Sequence, residues 1–92
     1  MSNTRPLLIR LPERLKDSLR ARHGRSLAAK FRGAAASPPA HTDWTPRETH
    51  DASISLRLSP EDLAHVEQLA ERHGLTRMDA ALRLLEALDD GA

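Results

Sequence analysis

Arginines, with a few serines beside them, are the side chains of this sequence best placed to do chemistry. Residues 1 to 33 hold nine basic side chains, Arg5, Arg10, Arg14, Lys16, Arg20, Arg22, Arg25, Lys30 and Arg32, against Glu13 and Asp17, a local charge of +7. Residues 34 to 50 set Arg47 against Asp43 and Glu48, and residues 51 to 92 set four arginines against nine acids, so that the last segment carries −5. The net charge of +1 hides this division. A polycationic third suits a polyanion such as nucleic acid, while the acidic segment either meets another partner or attracts the basic one. Catalytic groupings, by contrast, are missing. The absence of cysteine removes disulfides, thiolate chemistry and cysteine zinc sites together. Serine, histidine and aspartate occur, yet no nucleophile elbow, phosphate loop or metal-hydrolase motif frames them, and the chain reads as non-enzymatic. The five histidines show no tight ligand spacing. His23 and His73 read as helix C-terminal residues interacting with the dipole, His65 as a surface residue, and His41 and His50 as loop residues. No metal or cofactor is expected.

Ninety-two residues leave room for one small domain or two very small ones. With 39% hydrophobic and 29% charged residues the composition is that of an ordinary soluble protein. Phe31 and Trp44 are its only aromatic residues, so the core must be aliphatic, and a small core of that kind calls for help from self-association. Arg5 and Arg10 surround only Leu7, Leu8 and Ile9, too short an apolar run for a signal peptide or for the roughly 20 residues of a membrane span. A cytoplasmic location is expected.

The arginines and serines sit on elements with clear signatures. Ser53-Ile54-Ser55-Leu56-Arg57-Leu58 alternates polar and apolar, the pattern of a strand with Ile54, Leu56 and Leu58 buried and Ser53, Ser55 and Arg57 facing away. Ser59-Pro60-Glu61-Asp62 then supplies an N-cap, a proline at the first helical position and first-turn acids. Leu63, Val66, Leu69 and Ala70 form the stripe of that helix, and Gly74 closes it. Thr76 opens a second helix, with Asp79 as a capping-box candidate and Met78, Ala81, Leu82, Leu85 and Leu88 as its stripe. Leu84 widens the stripe beyond what one partner helix needs.

The first third repeats this order in rougher form. Leu7, Ile9 and Leu11 alternate with Leu8 and Arg10, Pro12-Glu13 opens a helix containing Leu15 and Leu19, Gly24 closes it, and Ser26 caps a helix through Leu27 and Phe31. Arg22-His23-Gly24 recurs as Arg72-His73-Gly74, and Arg10-Leu11 as Arg57-Leu58. The two offsets differ by three residues, so the first helix is nearly one turn shorter in the N-terminal copy. Ser37-Pro38-Pro39 and Thr45-Pro46 mark a linker, which gives a basic unit at 1–36, a linker at 37–52 and an acidic unit at 53–92. Neither unit can satisfy a lone strand or bury its helix faces by itself. The expected fold is mainly α, with two strands paired as a short antiparallel β-ribbon over four helices and β-α-α occurring twice.

The run from Ile54 through Ser59-Pro60-Glu61-Asp62-Leu63 and Gly74-Leu75-Thr76-Arg77 to Leu82 resembles the ribbon-helix-helix (MetJ/Arc/CopG) superfamily, nearest its CopG branch. Ile9-Arg10-Leu11-Pro12-Glu13-Arg14-Leu15-Lys16, with His23-Gly24-Arg25-Ser26-Leu27, resembles the Arc branch. The tandem arrangement is similar to that of TraY-type plasmid-transfer proteins. The resemblance implies a ribbon that enters the DNA major groove and reads bases with its outward side chains, here Leu8, Arg10, Ser53, Ser55 and Arg57. It implies also that the N-terminus of each second helix faces phosphate, which places Arg25 with Ser26, and Thr76 with Arg77, against the DNA backbone. Ile9, Leu11, Ile54, Leu56, Leu58, Leu63, Val66, Leu69, Leu82 and Leu85 would form the core of a homodimer or of an intrachain pseudo-dimer. Opposite charge on the two units favours pairing them with each other.

The function implied is that of a sequence-specific double-stranded DNA-binding protein, a small transcriptional repressor. The same residues would serve an accessory DNA-binding protein of plasmid transfer. The rival from another class is a protein-binding module, above all an antitoxin whose partner is a toxin. Any part of the Leu84 and Leu88 side of the last helix left uncovered by the core would then be the docking patch.

Overall fold

The computed structural model describes residues 4–45 and 51–91. Strand β1 (Arg5–Leu11) leads into helix α1 (Glu13–His23) and, through a 3-10 turn at Gly24–Ser26, helix α2 (Leu27–Ala36). Strand β2 (Ala52–Leu58) is followed by α3 (Pro60–His73) and α4 (Arg77–Gly91). The protein is therefore mainly helical, with one two-stranded antiparallel sheet and two helices after each strand. At 11 residues α1 is shorter than the 14-residue α3, the difference that the two sequence offsets predict.

β1 and β2 pair within the chain. Leu7 lies opposite Leu56, Leu8 opposite Ser55, Ile9 opposite Ile54 and Arg10 opposite Ser53. Alternation in both strands sends Leu7, Ile9, Leu11, Ile54, Leu56 and Leu58 to one face, where all six are buried. β2 starts at Ala52, opposite Leu11, so the strand takes the last residue assigned to the linker.

Four helices cover the apolar face of this ribbon. α1 contributes Leu15 and Leu19, α2 contributes Leu27, Phe31, Ala34 and Ala35, and α3 contributes Val66, Leu69 and Ala70, each set at helical spacing. Leu63, expected in the core, is half-buried and packs against its rim. α4 touches β1, α1, α2 and α3, and its residues from Ala80 to Leu85 are all buried. This central position explains the wide stripe: Leu84 is completely enclosed by the chain's own core rather than by a second molecule, and Leu88 is half-buried against it. Arg83 is also enclosed, at 1% exposure, with its guanidinium Nη2 2.5 Å from Glu86 Oε1 one turn further on.

Capping follows the local residues, with one exception. Pro12 and Ser59 are extended and redirect each strand into its helix. Ser59 Oγ accepts the Asp62 N–H at 3.2 Å while Asp62 Oδ2 accepts the Ser59 N–H at 3.3 Å, a complete capping box. Thr76 Oγ1 accepts the Asp79 N–H at 3.1 Å. Gly74 ends α3 in the left-handed conformation at φ 67° and ψ 33°, and Gly24 ends α1 at φ 50° and ψ −123°. Ser26 departs from expectation: it already has helical φ and ψ inside the 3-10 turn, and its side chain caps nothing.

The linker residues 37–45 lie against the helices. Thr42 closes a turn on the Pro39 carbonyl, His41 Nε2 sits 2.9 Å from the Ala87 carbonyl oxygen, and the Trp44 ring stacks on His73 with centroids 4.1 Å apart. Trp44 thus anchors the linker to the core. His65, expected at the surface, is half-buried, and His50 lies outside the described residues. Among the described residues no group of three or more histidines and acids is placed to hold a metal ion, and no helix is long and apolar enough to cross a membrane.

Candidate nucleic-acid interface

The face of the ribbon turned away from the helices carries Pro6, Leu8, Arg10, Ser53, Ser55 and Arg57, all exposed. This follows from period-two alternation over a packed inner face, since a one-residue slip of either strand would bury the arginines. No acid occurs among the outward residues of β1 and β2. The five expected readers Leu8, Arg10, Ser53, Ser55 and Arg57 are therefore brought together on one surface.

Their arrangement has an approximate twofold centre. Leu8 and Ser55 face each other across the strands, with Arg10 two residues beyond Leu8 on β1 and Arg57 two residues beyond Ser55 on β2. The strands run oppositely, so the two arginines stand at opposite ends of the face. Four residues along a strand and one strand spacing across put their Cα atoms about 14 Å apart. At about 3.4 Å per base pair, that separation matches roughly four base-pair steps.

A helix start flanks each edge of the ribbon. Beside β2, Arg20 and Arg25 line a shallow groove with Leu8, Ser53 and Ser55. Beside β1, Arg77 lines a second groove with Arg5, Pro6 and Glu67. Arg25 and Ser26 precede α2, and Thr76 and Arg77 stand at the start of α4, with Arg25 and Arg77 lining the grooves that flank the ribbon. Exposed N–H groups and the helix dipole at such starts favour an anion. The two flanks differ in charge: Arg77 Nη1 donates to Glu67 Oε1 at 3.1 Å, both side chains being exposed, whereas the β2 groove contains no acid.

Pro6, Arg20 and Glu67 belong to this surface and were not singled out from the sequence. The alternation that marks Leu8 and Arg10 as outward extends back to Pro6, and Arg20 was visible only as one charge among nine. Glu67 had no local signal, because its partner lies ten residues away on the next helix. The surface can bind a polyanion along the ribbon, whose outward strand face offers two guanidinium groups, two hydroxyls and one isobutyl group to whatever lies against it. No protein-family model, curated protein or solved structure matches this chain.

Proposed function

We propose that this chain is a sequence-specific double-stranded DNA-binding protein of ribbon-helix-helix type, in which two units of one polypeptide pair as a pseudo-dimer. It acts as a transcriptional repressor by occupying a short operator. The observation that carries this reading is the register, which centres the outward face on Leu8 and Ser55 and places Arg10 and Arg57 symmetrically about them, with no acid among the outward strand residues. A two-stranded ribbon fits the major groove, and an arginine there can donate two hydrogen bonds to guanine O6 and N7. Ser53 and Ser55 donate or accept at neighbouring base edges, and Leu8 contacts a thymine methyl. Arg25 with the Ser26 backbone, and Thr76 with Arg77, hold phosphates on either side and fix the depth of the ribbon. The buried inner face keeps the readers in register without help from the DNA.

Arg10→Ala and Arg57→Ala are each expected to weaken binding to the operator by about 1–3 kcal/mol, roughly 5- to 150-fold, with much smaller losses on random duplex. Arg25→Ala is expected to weaken all duplexes alike and to reduce the salt slope by about one. Binding titrations on both duplexes at several salt concentrations distinguish the roles. Equal losses on operator and random duplex for all three variants would exclude base reading by the ribbon.

A further inference from the structure

Building on the DNA-binding reading, we infer that the ribbon recognises a non-palindromic duplex in a single orientation, with Leu8 and Ser55 reading unlike bases at its centre. A ribbon made from two identical chains shows each half-site the same side chains. Here the two strands belong to one chain and are free to differ. About the centre of the face, Arg10 corresponds to Arg57, but Leu8 corresponds to Ser55 and Pro6 to Ser53. The outer contacts are therefore matched and the inner ones are not.

The chemistry at the centre is opposite on the two strands. Leu8 is 56% exposed and is the one large hydrophobic residue exposed among the described residues. A lone exposed leucine is ordinary, but this one lies at the middle of a polar face, directly across from a serine. It offers only apolar contact, which suits a thymine methyl, whereas the Ser55 hydroxyl exchanges hydrogen bonds with a base edge. The arms differ too. Arg10 has the Ser53 hydroxyl across from it, while Arg57 has Pro6, which has no side-chain donor or acceptor.

The flanks give the complex a direction. Phosphate beside β2 meets Arg20 and Arg25 with no acid in the groove, and phosphate beside β1 meets an Arg77 already bonded to Glu67. A reversed duplex exchanges a strong anchor for a weak one and presents the wrong base to Leu8. The recognised site accordingly has guanines in both arms at similar distance from an asymmetric centre.

The test is selection of duplexes from a random pool with the intact chain, followed by titration of the best site and of two palindromes made by reflecting each of its halves. The selected site is expected to bind at least about tenfold more tightly than either palindrome. Leu8→Ser, a surface change that makes the centre alike on both strands, is expected to shrink that gap and to erase the base preference at the central step. A palindrome that binds as tightly as the selected site overturns the asymmetric reading while leaving DNA recognition standing. Failure to enrich any sequence above random duplex overturns the DNA-binding reading itself.

Discussion

Leu84→Ala tests the physical premise on which the outward face depends, namely that one core spanning both strands and all four helices holds the ribbon. Leu84 is 0% exposed and sits on α4, the helix that contacts β1, α1, α2 and α3. Truncation loses the transfer free energy of the removed carbons and leaves a cavity that elements fixed on several sides cannot easily fill. The expected cost is therefore in the upper part of the usual range, about 3–4 kcal/mol. A domain of this size has roughly 5–15 kcal/mol of stability in all. At about 4–8 °C per kcal/mol, the melting temperature should fall by roughly 12–30 °C. Urea unfolding followed by far-ultraviolet circular dichroism and by Trp44 fluorescence should show coincident transitions, with the midpoint lowered and the slope unchanged. Leu8→Ala is the control, since an exposed leucine should change stability by no more than about 0.5 kcal/mol. A loss under about 1 kcal/mol for Leu84→Ala, or two separate transitions in the parent chain, would refute the single shared core.

Other expectations follow from particular contacts. Glu67→Gln removes the negative charge paired with Arg77 at 3.1 Å, so affinity for any duplex should rise and the salt slope should steepen by up to about one; an unchanged slope removes Arg77 from the phosphate contacts. Gly74→Ala, in the left-handed region, should cost about 1 kcal/mol. Gly24→Ala should cost more, up to about 3 kcal/mol, because ψ −123° lies outside the left-handed well. Thermal melts that rank the two glycines in the reverse order contradict this account of the α1 terminus. Ser59→Ala removes the hydroxyl that caps Asp62 N–H and should lower stability by about 1 kcal/mol in the same assay, whereas Ser26→Ala, which removes no cap, should not.

Local signals in the sequence were strong wherever one residue type decides one conformation. Alternation from Ser53 to Leu58 located β2 to within one residue, and Ser59-Pro60-Glu61-Asp62 marked the start of α3. Gly24 and Gly74 marked the ends of α1 and α3. The outward placement of Arg10, Ser53, Ser55 and Arg57 followed from the same alternation, because apolar neighbours on both sides of each leave no other face for it. What escaped depends on neighbours distant in the chain. Leu84 needed a partner that sequence could not choose, and α4 turned out to lie among four other elements. Ser26 has the residue type of a cap, but the 3-10 turn beginning at Gly24 had already carried the backbone into helical geometry before it. The Trp44 stack on His73 and the Glu67 bond to Arg77 join side chains whose meeting is set by tertiary packing alone.

The central claim is that the ribbon reads sequence, and a competition titration tests it most directly. A labelled duplex from just upstream of the protein's own gene is titrated with the intact chain at physiological salt in the presence of excess random duplex. Retained binding, at least about a thousandfold tighter than to random DNA, is the expected result. Binding that is swept away by competitor or by a modest rise in salt contradicts it, and would leave the basic segment as a nonspecific phosphate contact.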